Sequence, residues 1–588
     1  MCGILGKINY HQAIDKKLFS QMRDTLQHRG PDGCGSTFFQ SDRIALGHRR
    51  LSIIDLSETG HQPMSNEDAT IWVTCNGEIY NYKELRKTLE LAGHHFHSQS
   101  DMEVLVHGYE EWGVQMLNRL KGMFAFGIWD DMKQELFIAR DRFGIKPLYY
   151  YPGKNQFLFA SELKAIVADP KVPREVDQQS MVDYFKYRSI PSPRSIWKGI
   201  YKLPPAHYML LKSDGVAVAK PYWSLKTDRQ QLPIEEVVDK VDGLLETSIR
   251  QHLIADVPVG LLLSGGFDSS SIASYLSRMG KSVDSFTIGF EDWDLSEHES
   301  ARLAAQTFDT NHHEQFVNSS IYNKLKEVSY YYDEPLGGTS FLPTYELARM
   351  ASSNTKVVLG GDGGDEVFAG YKWHQSYQEP WYKHPRGAVR NLLKGENTLV
   401  DHYRRAMNWT GMDNEEVANL LGPGLQKNSA DIDLFSISHP LENQPVKSLQ
   451  ILDYQYFLPE VVLHKIDRAS MAHSLEVRVP FLDHELVEYM LQLDETVYHN
   501  KKTQKKILFD IMKNRFPKPL LNKAKKGFGM SLNHFFDRKQ FPTHWRSSNM
   551  IIDGLINTDQ VQKYLDQNAL KKLWSILIFM FWYDQWKK

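Results

Sequence analysis

Up to about residue 190 the apolar positions fall in short, aromatic-rich runs of strand length. Ile71-Trp72-Val73-Thr74 and Phe124-Ala125-Phe126-Gly127-Ile128-Trp129 are two of them, and the Trp129-Asp130-Asp131 corner before Glu135-Leu136-Phe137-Ile138 predicts a hairpin. Tyr82 to Leu91 and Met102 to Trp112 instead repeat at helical spacing, and Asp101 stands where the second helix needs an N-cap. Loops are marked by Ile190-Pro191-Ser192-Pro193 and Pro204-Pro205, and after about Gln231 the pattern changes. Beyond that point strand runs at Val259 to Leu263, Ser285 to Ile288 and Lys356 to Leu359 are separated by helical stretches, the alternation of a parallel α/β sheet. The last two hundred or so residues read mostly as helix, ending in the apolar run Leu573 to Tyr583. That run is well short of the roughly 20 residues a membrane helix needs and predicts a core helix.

A chain of 588 residues is too long for one hydrophobic core, so at least two domains are expected. The composition, 42% apolar and 24% charged, with 69 basic against 72 acidic side chains and a net charge of -3, calls for neither nucleic acid nor a membrane surface. Lys501, Lys502, Lys505 and Lys506, followed by Ile507 and Leu508, read as the solvated face of a helix rather than an anion site. The three cysteines, Cys2, Cys34 and Cys75, are too few and scattered for disulfides or zinc, and no secretory signal precedes them. A reducing, cytoplasmic setting is the expectation.

The most specific chemistry is carried by Ser264-Gly265-Gly266-Phe267-Asp268-Ser269, between a strand and a helix. Glycines admit a phosphate to the backbone, and the helix N-terminus offers it free N–H groups. The serine hydroxyls can donate to the same oxygens and Asp268 can hold Mg2+. The loop lacks the Gly-Lys-Ser/Thr ending of a Walker A motif and looks like the pyrophosphate loop of enzymes that split ATP into AMP and pyrophosphate. A second acidic glycine-rich turn, Gly360-Gly361-Asp362-Gly363-Gly364-Asp365-Glu366, follows the third strand, where open α/β sheets place ligands. Two such turns can meet across one crevice.

At the other end, Met1-Cys2-Gly3-Ile4 would expose a cysteine whose own α-amino group can serve as base once the methionine is removed. Arg50 can clamp an α-carboxylate, Asn76 and the Gly77 N–H can form an oxyanion hole, and Asp101 can hold an α-ammonium. Each is weak alone; with Cys2 they form a candidate glutaminase.

With both sets in place, the chain resembles glutamine-hydrolysing asparagine synthetases along nearly its full length. The marks are the MCGI start, His28-Arg29-Gly30-Pro31-Asp32, Leu51 to Asp55, Asn76 to Asn81, Gly122 to Phe126, Arg140 to Gly144, SGGFDSS, Gly364 to Tyr371 and Leu475 to Asp483. The resemblance implies an α+β N-terminal-nucleophile αββα sandwich followed by an α/β adenine-nucleotide hydrolase-like, ATP-pyrophosphatase domain with a helical C-terminal part. It places a glutaminase domain at 1–205, a linker at 206–235 and the synthetase domain at 236–588. Cys2 is then the nucleophile, Asn76 and Gly77 the oxyanion hole, and Arg50, Ile53, Glu78 and Asp101 the glutamine contacts. Leu262, Leu263, Ile288, Gly360 and Gly361 line the adenosine, Ser264, Gly265, Gly266, Asp268 and Ser269 hold pyrophosphate, and Asp268 and Asp365 bind Mg2+. An ammonia passage and a homodimer are also implied.

Three departures stand out. Asp362 replaces the usual glutamate, one methylene back, as the base. Arg468, with Lys465 one turn before it, stands where a phosphate-binding lysine is usual. The stretch aligned with the aspartate-binding segment reads Asp333-Glu334-Pro335-Leu336-Gly337-Gly338-Thr339-Ser340-Phe341-Leu342-Pro343-Thr344-Tyr345 and has no basic residue. An α-carboxylate there would rely on Lys372, Lys465 or Arg468. Aspartate is therefore the first expectation for the acceptor, with a sugar acid or cell-wall diaminopimelate as the alternative. A β-lactam synthetase-like cyclase has no use for Cys2, and a scaffold protein has none for Cys2, Asp268 and Asp365.

Overall fold

The computed structural model describes residues 2–587 apart from 213–217, 291–296, 378–397, 423–440, 442, 501, 522–528, 537–540 and 542–544. Along the first part come β1 (Gly3–Asn9), β2 (Gly33–Phe39), β3 (Ile44–Arg50), β4 (Met64–Ser65), β5 (Ile71–Ile79), β6 (Gly122–Asp130), β7 (Glu135–Arg140), β8 (Tyr149–Gly153), β9 (Gln156–Ala160), β10 (Tyr201–Lys202), β11 (His207–Lys212) and β12 (Lys220–Pro221). They form two six-stranded sheets, in the orders β10-β8-β9-β1-β3-β2 and β12-β11-β7-β6-β5-β4. Both are antiparallel, and the predicted hairpin is β6–β7, paired from Asp130–Glu135 to Ala125–Arg140.

The sheets face each other. Ile4, Ile8 and Leu46 of the first pack with Ala125, Trp129 and Ile138 of the second. Phe159 shows how closely: a Cβ on Gly6 beside it would stand 1.9 Å from its ring and one on Gly127, in the opposite sheet, 2.3 Å. Only glycine leaves room for that ring. Helices α1 (Lys16–Asp24), α2 (Tyr82–Leu91), α3 (Glu103–Trp112) and α4 (Leu163–Val167) supply the outer layers. Leu85, Leu89, Val104 and Leu105 cover Val73, Phe124 and Phe126 of the second sheet, while Phe19, Met22 and Leu163 cover Leu5 and Leu158 of the first. Strands covered on both faces read as unbroken apolar runs rather than alternating ones. This is the αββα sandwich.

Two expectations need correction here. Asp101 does not cap α3, whose N-cap is Met102; its carboxylate instead accepts the Ile79 N–H at 2.8 Å. The second sheet also takes in β11 and β12, which the sequence assigned to a linker starting at residue 206.

The second part is built on a parallel sheet of β13 (Val259–Leu262), β14 (Asp284–Phe290), β15 (Asn311–Val317), β16 (Val357–Leu359) and β17 (Glu476–Arg478), in the order β15-β14-β13-β16-β17. The chain moves outward through β14 and β15, then returns to the other side of β13. The order reverses between β13 and β16, so the strand ends diverge there and leave a crevice. β15 went unpredicted because Asn311-His312-His313-Glu314-Gln315 is a polar edge strand. The terminal helix Leu570–Trp586 is the expected core helix: Trp574, Phe579 and Trp582 are buried, and Phe579 and Trp582 pack on Tyr184, Phe185 and Trp197. One apolar core thus runs from the first sheet's outer face into the second domain.

Candidate active sites

At the start of β1, Cys2 lies against the end of β5. Its backbone N–H donates to Asn76 Oδ1 at 3.0 Å, and its Sγ lies 4.0 Å from the Leu51 carbonyl. Burial pushes the thiol above its ordinary value. Asn76 is fully buried, and its Nδ2 finds no hydrogen-bond partner. A buried amide N–H2 left unpaired beside a thiol is a donor awaiting an acceptor. Gly77 follows in the same strand, where a Cβ would strike the Met123 carbonyl at 2.1 Å. Arg50, at the end of β3, gives one terminal nitrogen to Ser57 O at 2.8 Å and the other to Asp55 O, so the loop after it sets its direction. Ile53 is buried and accepts the Asp256 N–H at 2.9 Å.

Glu78 and Asp101 share this pocket, each about 95% or more buried. Burial, with Glu476 and Asp101 nearby, pushes Glu78 well above the usual carboxylate range, and burial takes Asp101 up to about 7. Arg478 Nη2 lies 3.3 Å from Glu78, and its Nε lies 2.6 Å from Glu476. Three carboxyl groups thus surround one guanidinium. A cation brought among them would favour the ionised forms of these carboxyls.

In the second domain the strand–loop–helix motif is β13, residues 263–266 and a helix at Phe267–Arg278. Ser264 Oγ and Ser269 Oγ lie 3.1 Å apart, and the Gly266 N–H donates to Ser264 Oγ at 3.2 Å. Gly265 takes φ +68° directly under the helix His298–Phe308, where a Cβ would meet Ala301 N at 2.2 Å. β16 is the direct neighbour of β13, and the two glycine-rich turns do touch. A Cβ on Gly364 would fall 2.7 Å from Asp268 Cγ, and one on Gly361 3.1 Å from Ser269 N. Leu262, Leu263 and Ile288 are buried beside the turns, and Gly360 donates its N–H to Arg478 O at 2.7 Å.

Asp268 and Asp365 converge on one point, and there lies the ammonium of Lys505, 2.5 Å from Asp268 and 2.8 Å from Asp365. Burial works against that charge, but the two carboxylates outweigh it and raise the ammonium above its ordinary value. Two carboxylates converging on one cation are oxygen donors of the kind Mg2+ takes, at shorter bonds of about 2.0–2.1 Å. Burial also raises the Asp362 carboxyl, opposed by the charge of Lys465.

Residues 1–223 match the glutamine amidotransferase domain family and residues 240–584 the asparagine synthase family. The chain belongs to the asparagine synthetase family. Glutamine-hydrolysing asparagine synthetase 1 of Bacillus subtilis (strain 168) is 32% identical over 99% of this chain and 96% of its own length. Glutamine-hydrolysing asparagine synthetase 3 of the same organism is 30% identical over 96% and 93%. Amidase chry2 of Gibberella zeae is 28% identical over 86% and 84%. As a member of this family the chain is a glutamine-hydrolysing ligase.

Within this asparagine synthetase fold, three sequence expectations are overturned. Arg468 does not face the phosphates. It is 1% exposed, pairs with Glu162 at 2.7 Å and reaches Tyr149 Oη at 3.3 Å, facing the glutaminase domain. Lys505 is no part of a solvated face, being 7% exposed at the N-cap of Lys506–Met512 with φ +50°. Asp333 and Glu334 serve the domain interface. Asp333 accepts the Lys164 N–H at 3.1 Å, and Glu334 accepts the Ile196 N–H at 2.9 Å and pairs with Lys202 at 3.1 Å.

Sequence reasoning missed Arg478, Glu476, Lys505 and Arg29. The first two lie in Leu475 to Asp483, a family mark without an assigned role, and Arg478 reaches Glu78 from the other domain. Arg29 joins the domains: Nε donates to Cys2 O at 3.0 Å, while Nη1 and Nη2 hold both oxygens of Asp467 at 2.8 and 3.0 Å. Nη1 also reaches Glu162 at 2.8 Å. Asp467 lies on His464–Met471, the helix that also carries Lys465. Beside it a cavity of about 10 Å3, at the lower limit for holding a single water, is lined by Tyr149, Lys202, Glu460, Leu463, His464 and Arg468 among others. Several of these come from a π-helical stretch, Asp453–Leu463, that precedes the helix and contains Pro459.

Proposed function

We propose that this asparagine synthetase homologue moves the amide nitrogen of glutamine onto aspartate, activated by ATP as an acyl-adenylate. The boundary between its two working domains falls between Pro221 and Ile234, after the last strand of the second sheet and before the first long helix of the next part. In the first domain, Cys2 with its methionine removed uses its α-amino group, held by Asn76 Oδ1, to take the thiol proton. Its sulfur attacks the carboxamide carbon, and Asn76 Nδ2 with the Gly77 N–H donates to the resulting oxyanion. Collapse expels ammonia, and water hydrolyses the thioester to glutamate. Glu78 and Asp101 hold the glutamine α-ammonium, with Arg50 and Ile53 at its α-carboxylate end.

In the second domain the acceptor carboxylate attacks the α-phosphorus and pyrophosphate leaves. Ammonia then attacks the acyl carbon, AMP leaves, and the nitrogen's surplus proton passes to Asp362, whose raised carboxyl suits a base. Residues 264–269 cradle pyrophosphate; Leu262, Leu263, Ile288, Gly360 and Gly361 enclose the adenosine. Mg2+ on Asp268 and Asp365 would neutralise phosphate charge. Lys505 leaves that pair to meet the same phosphates, and Lys465 is the remaining cation near Asp362.

The observation that carries this reading is the link through Arg29, which ties the Cys2 carbonyl to the helix whose Lys465 stands by Asp362. The test supplies ATP, Mg2+ and amide-labelled [15N]glutamine with aspartate or a panel of other carboxylates. Labelled asparagine with equimolar AMP is the expected result. AMP formed only with another carboxylate would move the acceptor, and AMP with none would remove the ligase chemistry.

A further inference from the structure

Away from both sites, on the outer layer of the glutaminase domain, Glu67, His94 and His107 bring ligand atoms within 4.8 Å of one another. They come from three segments: the turn between β4 and β5, the loop after α2, and the middle of α3. His107 is 1% exposed, and among the described residues neither of its ring nitrogens has a hydrogen-bond partner. Its Nδ1 lies 3.8 Å from Glu67 Oε2 and 3.9 Å from Glu110 Oε2, and His94 Nδ1 lies 3.6 Å from the same Glu110 oxygen. At these distances the buried ring is surrounded by carboxylate oxygens without a hydrogen bond to any of them. Metal–ligand bonds of about 2.1 Å in a tetrahedron set ligand atoms about 3.4 Å apart, so small side-chain movements close this set on an ion.

The surroundings are built for it. Glu103 lies behind the ring, its Oε1 3.7 Å from His107 Nε2, while its own oxygens accept the His97 and Ser98 N–H groups at 2.7 and 2.8 Å. That carboxylate places negative charge on the Nε2 side of the ring, while Nδ1 faces Glu67 and Glu110. Gly93, at φ +103°, lets the chain turn after α2 so that His94 N donates to Leu89 O at 3.1 Å, which places His94 over the site. Phe96 packs on His107 with ring centroids 4.5 Å apart and shuts out water from that side. Glu67 is fastened through Oε1, which accepts the His95 N–H at 2.8 Å and leaves Oε2 for the ion.

We propose that Glu67, His94, His107 and Glu110 form a structural site for a divalent transition ion of the zinc class. Two imidazoles with two carboxylates suit such an ion better than Mg2+ or Ca2+, which favour all-oxygen sets. The ion joins α3 to the β4–β5 turn and to the loop that ends at Asp101, so it fixes the loop that delivers a glutamine-pocket carboxylate.

The test uses full-length, tag-free protein, stripped with a chelator and dialysed against Zn2+ with excess Mg2+. Metal is counted by mass spectrometry in the parent and in His107→Ala and Glu67→Gln, each also carrying Cys2→Ala to remove a competing thiolate. The expected result is one zinc per chain in the parent, held at least tenfold more weakly in both variants. A Zn2+-dependent rise in melting temperature should appear in the parent only. Glu67→Gln alters a residue at the rim, 34% exposed, and carries the comparison if His107→Ala does not fold. Equal zinc content in parent and variants, no zinc in the parent, or the same melting rise with Mg2+ alone would overturn the site.

Discussion

Glu78, Asp101 and Glu476 crowd one guanidinium in the pocket by Cys2, and Asp101 carries a measurable consequence. Burial raises it to about 7 from an ordinary 3.8, so the fold favours its neutral form. That contribution is complete below pH 4 or so and is lost as pH rises towards 7. Asp101→Asn, neutral at every pH, should therefore be more stable than the parent at pH 8, on the order of 4 kcal/mol, with the difference vanishing near pH 4. Its KM for glutamine should rise at least tenfold, because the α-ammonium loses a partner. Thermal melts across pH and glutaminase kinetics check both; a variant less stable than the parent at pH 8 contradicts the neutral-carboxyl assignment. Lys505 invites a second test at this scale. Lys505→Met should slow pyrophosphate formation about a hundredfold or more, the usual cost of removing a donor to developing charge, while glutamine hydrolysis is unaffected. Unchanged pyrophosphate release would show that the ammonium plays no part beyond pairing Asp268 with Asp365.

At the scale of elements, the crevice at the two glycine-rich turns exists because β13 and β16 are neighbours and the loops after them touch. Gly364→Ala puts a methyl 2.7 Å from Asp268 Cγ and pushes the two turns apart. The expected outcome is loss of most pyrophosphate formation with the glutaminase reaction intact and little change in melting temperature. Full activity in this variant would mean the turns have slack that their contact does not suggest. The same logic explains which elements were legible. Tyr82–Leu91 and the terminal helix could be read because their apolar spacing survives in isolation. β15 could not, since an edge strand of alternating polar residues has no apolar signature.

For the whole molecule, the decisive feature is an interface of buried charge between the domains. Arg29, Glu162, Asp467 and Arg468 are all nearly inaccessible, so their pairing is an all-or-none arrangement. Arg29→Met leaves Asp467 without its bidentate partner and should cost about 3–5 kcal/mol. The gentler Arg29→Lys should keep each half-reaction but raise the glutamate formed per AMP at least twofold, as ammonia escapes between the sites. Product counting under saturating substrates decides it; a ratio equal to the parent's means the link is only structural. Cys2→Ala gives the complementary case, in which glutamine-dependent amidation disappears and ammonium-dependent amidation persists. Loss of both in a folded variant would refute independent chemistry in the two domains.

Local sequence was enough for whatever depends on neighbours along the chain. The glycine turns needed positive φ and close approach, the cysteine needed to follow the initiator methionine, and Asn76-Gly77-Glu78 needed the end of a strand. Those positions carry their chemistry in their residue types. What the sequence could not decide was where long, charged side chains end up. Lys505 reads as a surface lysine among lysines, and Arg468 as one more cation beside phosphate. Only the fold sets the first between two carboxylates and the second in the interface with Glu162 and Tyr149. The His94–His107 cluster and the reach of Arg478 into the other domain's pocket are of the same kind. A side chain's reach is several ångströms in any direction, and its partner is fixed by which strands and helices pack nearby, information that no stretch of neighbouring residues contains.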